Sequence, residues 1–224
     1  MPRRIRATAG GLVYHVLNRG VGRMRLVRKA ADFAAMEQVL EEAVQRTRTR
    51  LLAYCLMSNH WHLLFWPRED GELSEVMRWL TVTHTRRWHA NRHTSGTGPI
   101  YQGRFKSFPV ECDDHLLTVA RYVERNPLRA SMVEHAADWQ WCSLWRRCQG
   151  DTAILSDWPI PVPNRWPQFV EQPQTEAELE AIRRSVARGR PFGDDRWARR
   201  IAKRFSLEST FRPQGRPRKK PAPR

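Results

Sequence analysis

The chain is short of acid: 23 Asp and Glu stand against 39 Lys and Arg in 224 residues, a formal charge of +16 with histidine neutral. That imbalance argues against cationic partners and points to a polyanion, most often nucleic acid; a solvated basic surface is the plainer alternative. No two of the four cysteines (Cys55, Cys112, Cys142, Cys148) form a C-x-x-C pair, and nothing in their spacing suggests a secreted disulfide framework. No apolar run approaches the length of a membrane span, and the apolar stretch within MPRRIRATAGGLVYHV is too short for a secretory signal. Walker-type loops and internal repeats are also missing. A cytoplasmic protein in a reducing compartment is expected, with no membrane partner.

What is present is globular: 41% of residues are apolar and ten are Trp. Residues 11–18 have strand character up to the Arg19-Gly20 turn signal. Phe33, Met36, Leu40 and Ala43/Val44 recur at helical spacing over 32–46. Residues 50–57 and 60–66 read as two strands of a hairpin turning at Ser58-Asn59. A second helix is expected over 72–92, a loop over 93–99, and a strand over 101–111 in which Pro109 implies a sheet edge. A third helix over 113–126 should stop before Pro127, because the residue ahead of proline avoids the α region.

The order β-α-β-β-α-β-α matches the split β-α-β pattern of ferredoxin-like α+β domains. It predicts an antiparallel sheet with helices on one face and the other face free to bind. Residues 1–150 would form this domain. The proline-rich stretch 151–174 reads as a linker over the surface. Residues 175–211 read as a helical extension, with Thr175 and Glu178 as a capping box. The last thirteen residues carry six basic side chains, four prolines and no acid, a composition of disordered tails.

Two features carry chemistry. His60 and His62 in SNHWHLLFW share one face of a strand, with Cα atoms about 6.5–7 Å apart. That suits two imidazoles converging on a metal ion, while Trp61, Leu63 and Phe65 pack on the other face. Hydrogen-bonded core histidines are the alternative, and the pair alone does not decide. On the third helix, Leu116, Leu117, Val119, Ala120 and Val123 form an apolar stripe, and Tyr122 falls roughly opposite its centre. Asn126, four residues on, shares the face of Tyr122, and Arg125 borders it. A half-covered surface tyrosine and a nucleophile held beside a ligand fit this pattern equally.

Taken in order, YHVLNRG at 14–20, YCLMSNHWHLL at 54–64, YQGRFKS at 101–107, YVERNPLRA at 122–130 and WQWCSLW at 139–145 resemble the REP-associated tyrosine transposases, a group of HUH single-tyrosine transposases. The resemblance spans about residues 3–150 and continues weakly through GRPFG at 189–193 and GRPRK at 215–219. It implies that His60, His62 and Asn126 are metal ligands and Tyr122 the catalytic tyrosine. Ser131 stands where a glycine often follows the N-P-x-R-A run. The implied activity is a single-stranded DNA endonuclease and strand transferase (a transposase) acting at palindromic, REP-like hairpins through a 5′-phosphotyrosine. Tyrosine, with a pKa of about 10, is a poor nucleophile at neutral pH, so a divalent cation, Mg²⁺ or Mn²⁺, would assist as a Lewis acid. The phosphodiester energy stays in the covalent bond and a free 3′-OH can rejoin strands, so no other energy source is needed.

Arg104, Phe105 and Lys106, with Arg125 and Arg129, are candidate contacts to single-stranded or hairpin DNA, the basic groups on phosphates and the aromatic on unpaired bases. The GRP of the tail resembles a minor-groove arginine hook. A catalytically silent DNA-binding protein or repressor of the same fold is the alternative, and a metal-dependent hydrolase in which Tyr122 is incidental is a third. Both monomer and homodimer are compatible with the sequence.

Overall fold

The computed structural model describes residues 7–212. The elements run β1 (Val13–Arg19), α1 (Ala30–Thr47), β2 (Arg50–Leu56), β3 (His60–Trp66), α2 (Glu72–Arg92), β4 (Lys106–Val110) and α3 (Asp114–Glu124). The sheet order is β2-β3-β1-β4 with every neighbouring pair antiparallel, the split β-α-β arrangement expected from the order of elements.

One sheet face is closed by α1 and α2. Phe33, Met36, Val39, Leu40 and Ala43 of α1 and Leu73, Val76, Met77 and Leu80 of α2 meet Tyr14, Val16, Tyr54, Leu56, Trp61, Leu63 and Phe65 in one core. The alternation of β3 is therefore as read: Trp61, Leu63 and Phe65 go inward to the helices. Trp61 Nε1 donates to the Tyr101 hydroxyl at 3.1 Å, and His84 Nδ1 lies 2.6 Å from that same oxygen, so the polar atoms of this core are paired.

The other face is not free, which corrects the expectation. α3 lies across it, followed by α4 (Asn126–Arg129), α5 (Ser143–Cys148), α6 (Trp166–Glu171) and α7 (Glu176–Arg188). Val13, Ala53, Cys55, Leu64, Phe108 and Val110 form the sheet side of this second core, and Leu116, Val119, Ala120 and Val123 of α3, Leu144, Trp166, Val170 and Ile182 cover them. The physical reason is visible in the strands. Their second face is apolar apart from the histidines, and such a surface must be buried.

The stretch 156–174, expected to lie over the surface without regular structure, contributes α6, whose Trp166 and Val170 are buried. Thr175 and Glu178 cap α7 reciprocally, as expected. The GRPFG segment then seals the sheet. Gly189 ends α7 in the left-handed conformation (φ 72°). Phe192 N–H donates to Pro109 O, and Glu111 N–H to Phe192 O, both at 2.9 Å. Pro109 does sit in an edge strand, and the Phe192 segment covers that edge. At Gly193 a Cβ would stand 2.7 Å from the Trp197 ring and 2.8 Å from Glu111 Cβ, so a side chain there would force its neighbours to shift. α8 (Asp195–Arg204) follows. Among the described residues no helix is long and apolar enough to cross a membrane. The tail beyond Arg212, including GRPRK, lies outside the described residues.

The third helix is interrupted. α3 ends at Glu124, and α4 opens a new turn with Pro127 in its first positions. α4 closes with Ser131 N–H on Leu128 O at 3.0 Å and Met132 N–H on Pro127 O at 3.0 Å. Ser131 itself takes φ 53°, the left-handed region. A side chain there costs about 1 kcal/mol relative to glycine. Ser131→Gly is therefore expected to raise unfolding stability by roughly 0.5–1 kcal/mol, despite the added freedom of the unfolded chain, measured by urea or thermal unfolding.

Candidate active site

β3 is a central strand, and the antiparallel register places Leu17 opposite His62 and Arg19 opposite His60. His60 and His62 project to the second face with ring centroids 5.1 Å apart and planes nearly perpendicular. The Nδ1 of each ring is already engaged. His60 Nδ1 lies 2.6 Å from Asn59 Oδ1, and His62 Nδ1 lies 2.9 Å from His15 Nε2. An imidazole anchored through Nδ1 keeps Nε2 for a ligand. Burial pushes the His60 pKa down to about 4, with Arg19 and Arg129 adding to it. Burial likewise holds His62 well below the ordinary histidine value, and His15 falls to about 3. All three imidazoles are neutral at pH 7, the form that coordinates metals.

Tyr122 is buried rather than turned away from the core, which corrects its predicted orientation. The apolar stripe of α3 centres on Val119, Val123 and Leu116, while Leu117 is only partly buried. That shift rotates Tyr122 to the sheet-facing edge of the stripe. Its ring stands edge-on to His62 at 5.7 Å and to His15 at 6.2 Å between centroids. Asn126 follows across the break into α4; its side chain hydrogen-bonds to His60 and favours the protonated ring. Its Nδ2 is buried without a partner. Arg129, one turn further on, lays its guanidinium over the Tyr122 ring at 4.1 Å. The structure thus gathers His60, His62, Tyr122, Asn126 and Arg129, and adds His15 and Arg19. Those two lay in the YHVLNRG segment without an assigned role. Their signal was strand parity, since His15 and Arg19 alternate on the same face of β1.

The residues fit a divalent cation. Two neutral imidazoles are anchored through Nδ1, the Asn126 amide is bonded to His60, and neither imidazole is in an ion pair with a carboxylate among the described residues. A separate cluster, Glu111, Asp113 and His115, brings ligand atoms within 4.8 Å of one another near the start of α3. Its His115 Nδ1 is hydrogen-bonded to Asp113 Oδ1 at 2.8 Å.

Of the predicted DNA contacts, Arg104 and Lys106 are exposed. Phe105 is not available for stacking: it is 8% exposed and belongs to the first core. The strand begins only at Lys106, so Arg104 and Phe105 lie in the preceding bend, where side chains do not alternate strictly. Arg125 is partly buried with Nε on Glu171 O at 3.3 Å, and Arg129 is partly buried against Tyr122.

The helix that carries Tyr122 is fixed by polar bonds as well as apolar packing. Glu124, fully buried, accepts from Ser143 Oγ at 2.5 Å and from Trp166 Nε1 at 2.6 Å, and Ser143 Oγ accepts from Tyr54 N–H at 2.9 Å. One carboxylate thereby joins α3 to β2, α5 and α6. Arg121 adds an ion pair to Glu178 of α7 at 2.5 Å. Truncation would strand two buried donors and open a cavity, so Glu124→Ala is expected to lower stability by about 3 kcal/mol. Denaturant unfolding would read this as a drop in midpoint.

A family model described as "Transposase IS200 like" matches residues 8–126. That is more than half of the chain, and the chain belongs to this family. The span takes in His60, His62, Tyr122 and Asn126. Among solved structures, "Structure of the REP associates tyrosine transposase bound to a REP hairpin" matches with a TM-score of 0.50 at 15% identity, covering 79% of this chain and 99% of that one. This likeness establishes a shared fold. A putative transposase from Deinococcus radiodurans (18% identity, TM-score 0.38, 55% of this chain and 97% of that one) also matches. So does the tRNA(His) guanylyltransferase of Saccharomyces cerevisiae (8% identity, TM-score 0.42, 80% and 79%); neither is close enough to carry an argument. No curated protein matches.

Proposed function

We propose that this transposase-family chain cleaves and rejoins single-stranded DNA at REP-like palindromic hairpins by transesterification through Tyr122. The observation that carries the reading is the meeting of Tyr122 with His62 and His15, edge-on at 5.7 and 6.2 Å, beside a pair of neutral imidazoles each anchored through Nδ1.

In this reading His60 Nε2, His62 Nε2 and the Asn126 carbonyl oxygen hold Mg²⁺ or Mn²⁺. The ion, when bound, polarises the scissile phosphate as a Lewis acid. The Tyr122 oxygen attacks phosphorus. The P–O3′ bond breaks, leaving a 5′-phosphotyrosine and a 3′ end that takes a proton from water. Reversal by a 3′-OH rejoins strands without a nucleotide. His15 fixes the tautomer of His62 through Nε2···Nδ1, and Asn59 does the same for His60. Exposed Arg104 and Lys106 contact the DNA backbone, and the net charge of +16 draws it in.

The test is to incubate the protein with labelled oligonucleotides carrying palindromic repeats of its own genome and Mn²⁺, then run a denaturing gel. A labelled protein adduct is expected, absent in Tyr122→Phe and in EDTA. Cleavage without an adduct would make the chain a hydrolase, and hairpin binding without cleavage would favour a silent DNA-binding protein. Separately, His15→Ala is expected to weaken Mn²⁺ binding ten- to a hundredfold, by the usual cost of removing a ligand's hydrogen-bond partner. Calorimetric titration of the DNA-free protein reads it.

A further inference from the structure

We propose that Arg129 is a catalytic residue, stacked on the Tyr122 ring and presenting an unpaired N–H to a non-bridging oxygen of the scissile phosphate. This rests on the transesterification reading and assigns the phosphate's partner within it.

The case begins with a cation that lacks an anion. Arg129 is partly buried, its Cζ is 4.1 Å from the Tyr122 ring centroid, and its Nη1 is buried without a hydrogen-bond partner. Among the described residues no carboxylate pairs with it, whereas partly buried Arg92 and buried Arg121 and Arg146 all find one. Burying a guanidinium in this way is costly unless an anion arrives. The field of Arg129 reaches both His60 and His62, so the charge sits among the groups that would surround the phosphate. Asn126, on the same short helix, holds a second buried and unpartnered donor, Nδ2. Two idle donors beside a tyrosine and two histidines describe a cradle for phosphoryl oxygens. A planar guanidinium suits that task, because its faces stack while its edge donates. Arg125, by contrast, directs its Nε to the Glu171 carbonyl.

During attack the Tyr122 proton passes to solvent, the Tyr122 O–P bond forms and the P–O3′ bond breaks. Negative charge on the non-bridging oxygens is then met by the Arg129 edge, while its face holds the Tyr122 ring in line. Stabilisation of that kind is lost in large part when one preorganised donor is removed.

The first measurement uses protein carrying Tyr122→Phe, whose ring preserves the stacking surface, in EDTA. Fluorescence anisotropy compares repeat-hairpin oligonucleotides in which each backbone linkage near the hairpin foot is replaced in turn by an uncharged methylphosphonate. One linkage is expected at which losing the charge weakens binding about tenfold, and adding Arg129→Gln should erase that difference while leaving affinity for the neutral oligonucleotide unchanged. In the protein with Tyr122 intact and Mn²⁺ present, Arg129→Lys should slow adduct formation about a hundredfold, with guanidinium ion partly restoring Arg129→Ala. Retained discrimination at every linkage in Arg129→Gln, or equal weakening for charged and neutral oligonucleotides, would overturn the proposal. So would an adduct rate in Arg129→Lys within about threefold of the parent. A parent protein that binds the hairpin but forms no adduct would overturn the transesterification reading instead, and the linkage comparison would still judge Arg129.

Discussion

A slip of one residue between β3 and β1 would carry His60 and His62 into the core beneath α1 and α2 and push Trp61, Leu63 and Phe65 out of it. The pairing of Leu17 with His62 and of Val16 with Leu63 forbids the slip, because burying three large apolar side chains outweighs any gain from the two imidazoles. That register is also what brings His15 within hydrogen-bond distance of His62. Every group of the site takes its place from it: Arg19 across from His60, Tyr122 over the rings, α4 beyond.

The sheet is buried on both faces, and the two faces are used differently. Under α1 and α2 even the polar atoms of Trp61, Tyr101 and His84 are mutually bonded. Under α3 the core is equally apolar along most of the sheet but ends in groups left short of partners: His15 Nδ1, Asn126 Nδ2 and Arg129 Nη1. Unsatisfied polar atoms cost a fold stability, and a charged ligand reaching Asn126 and Arg129 would restore part of the balance at this end of the face.

The C-terminal part of the chain has a mechanical place in this arrangement. α6 supplies the Trp166 N–H that helps hold Glu124, α7 supplies Glu178 for Arg121, and the Phe192 segment extends the sheet past its proline-bearing edge. The helix bearing Tyr122 is thus gripped from three sides, which suits a side chain that must meet a phosphorus atom in a fixed direction.

Periodicity alone determined much of this protein: the order of strands and helices, the common face of His60 and His62, the inward turn of Trp61, Leu63 and Phe65, and the capped helix after Thr175. These are local properties, set by backbone geometry within a few residues. What covers the second sheet face, which edge of α3 meets the sheet, and which arginines are solvated were decided only in three dimensions. Tyr122 illustrates the reason. Counting Leu117 in the apolar stripe put the tyrosine opposite its centre, whereas packing left Leu117 partly exposed and rotated the tyrosine onto His62. Phe105 and Arg129 followed the same logic, one drawn into a core and the other onto a ring by neighbours distant in sequence. Burial depends on which surfaces arrive from elsewhere in the chain, and no local pattern encodes that.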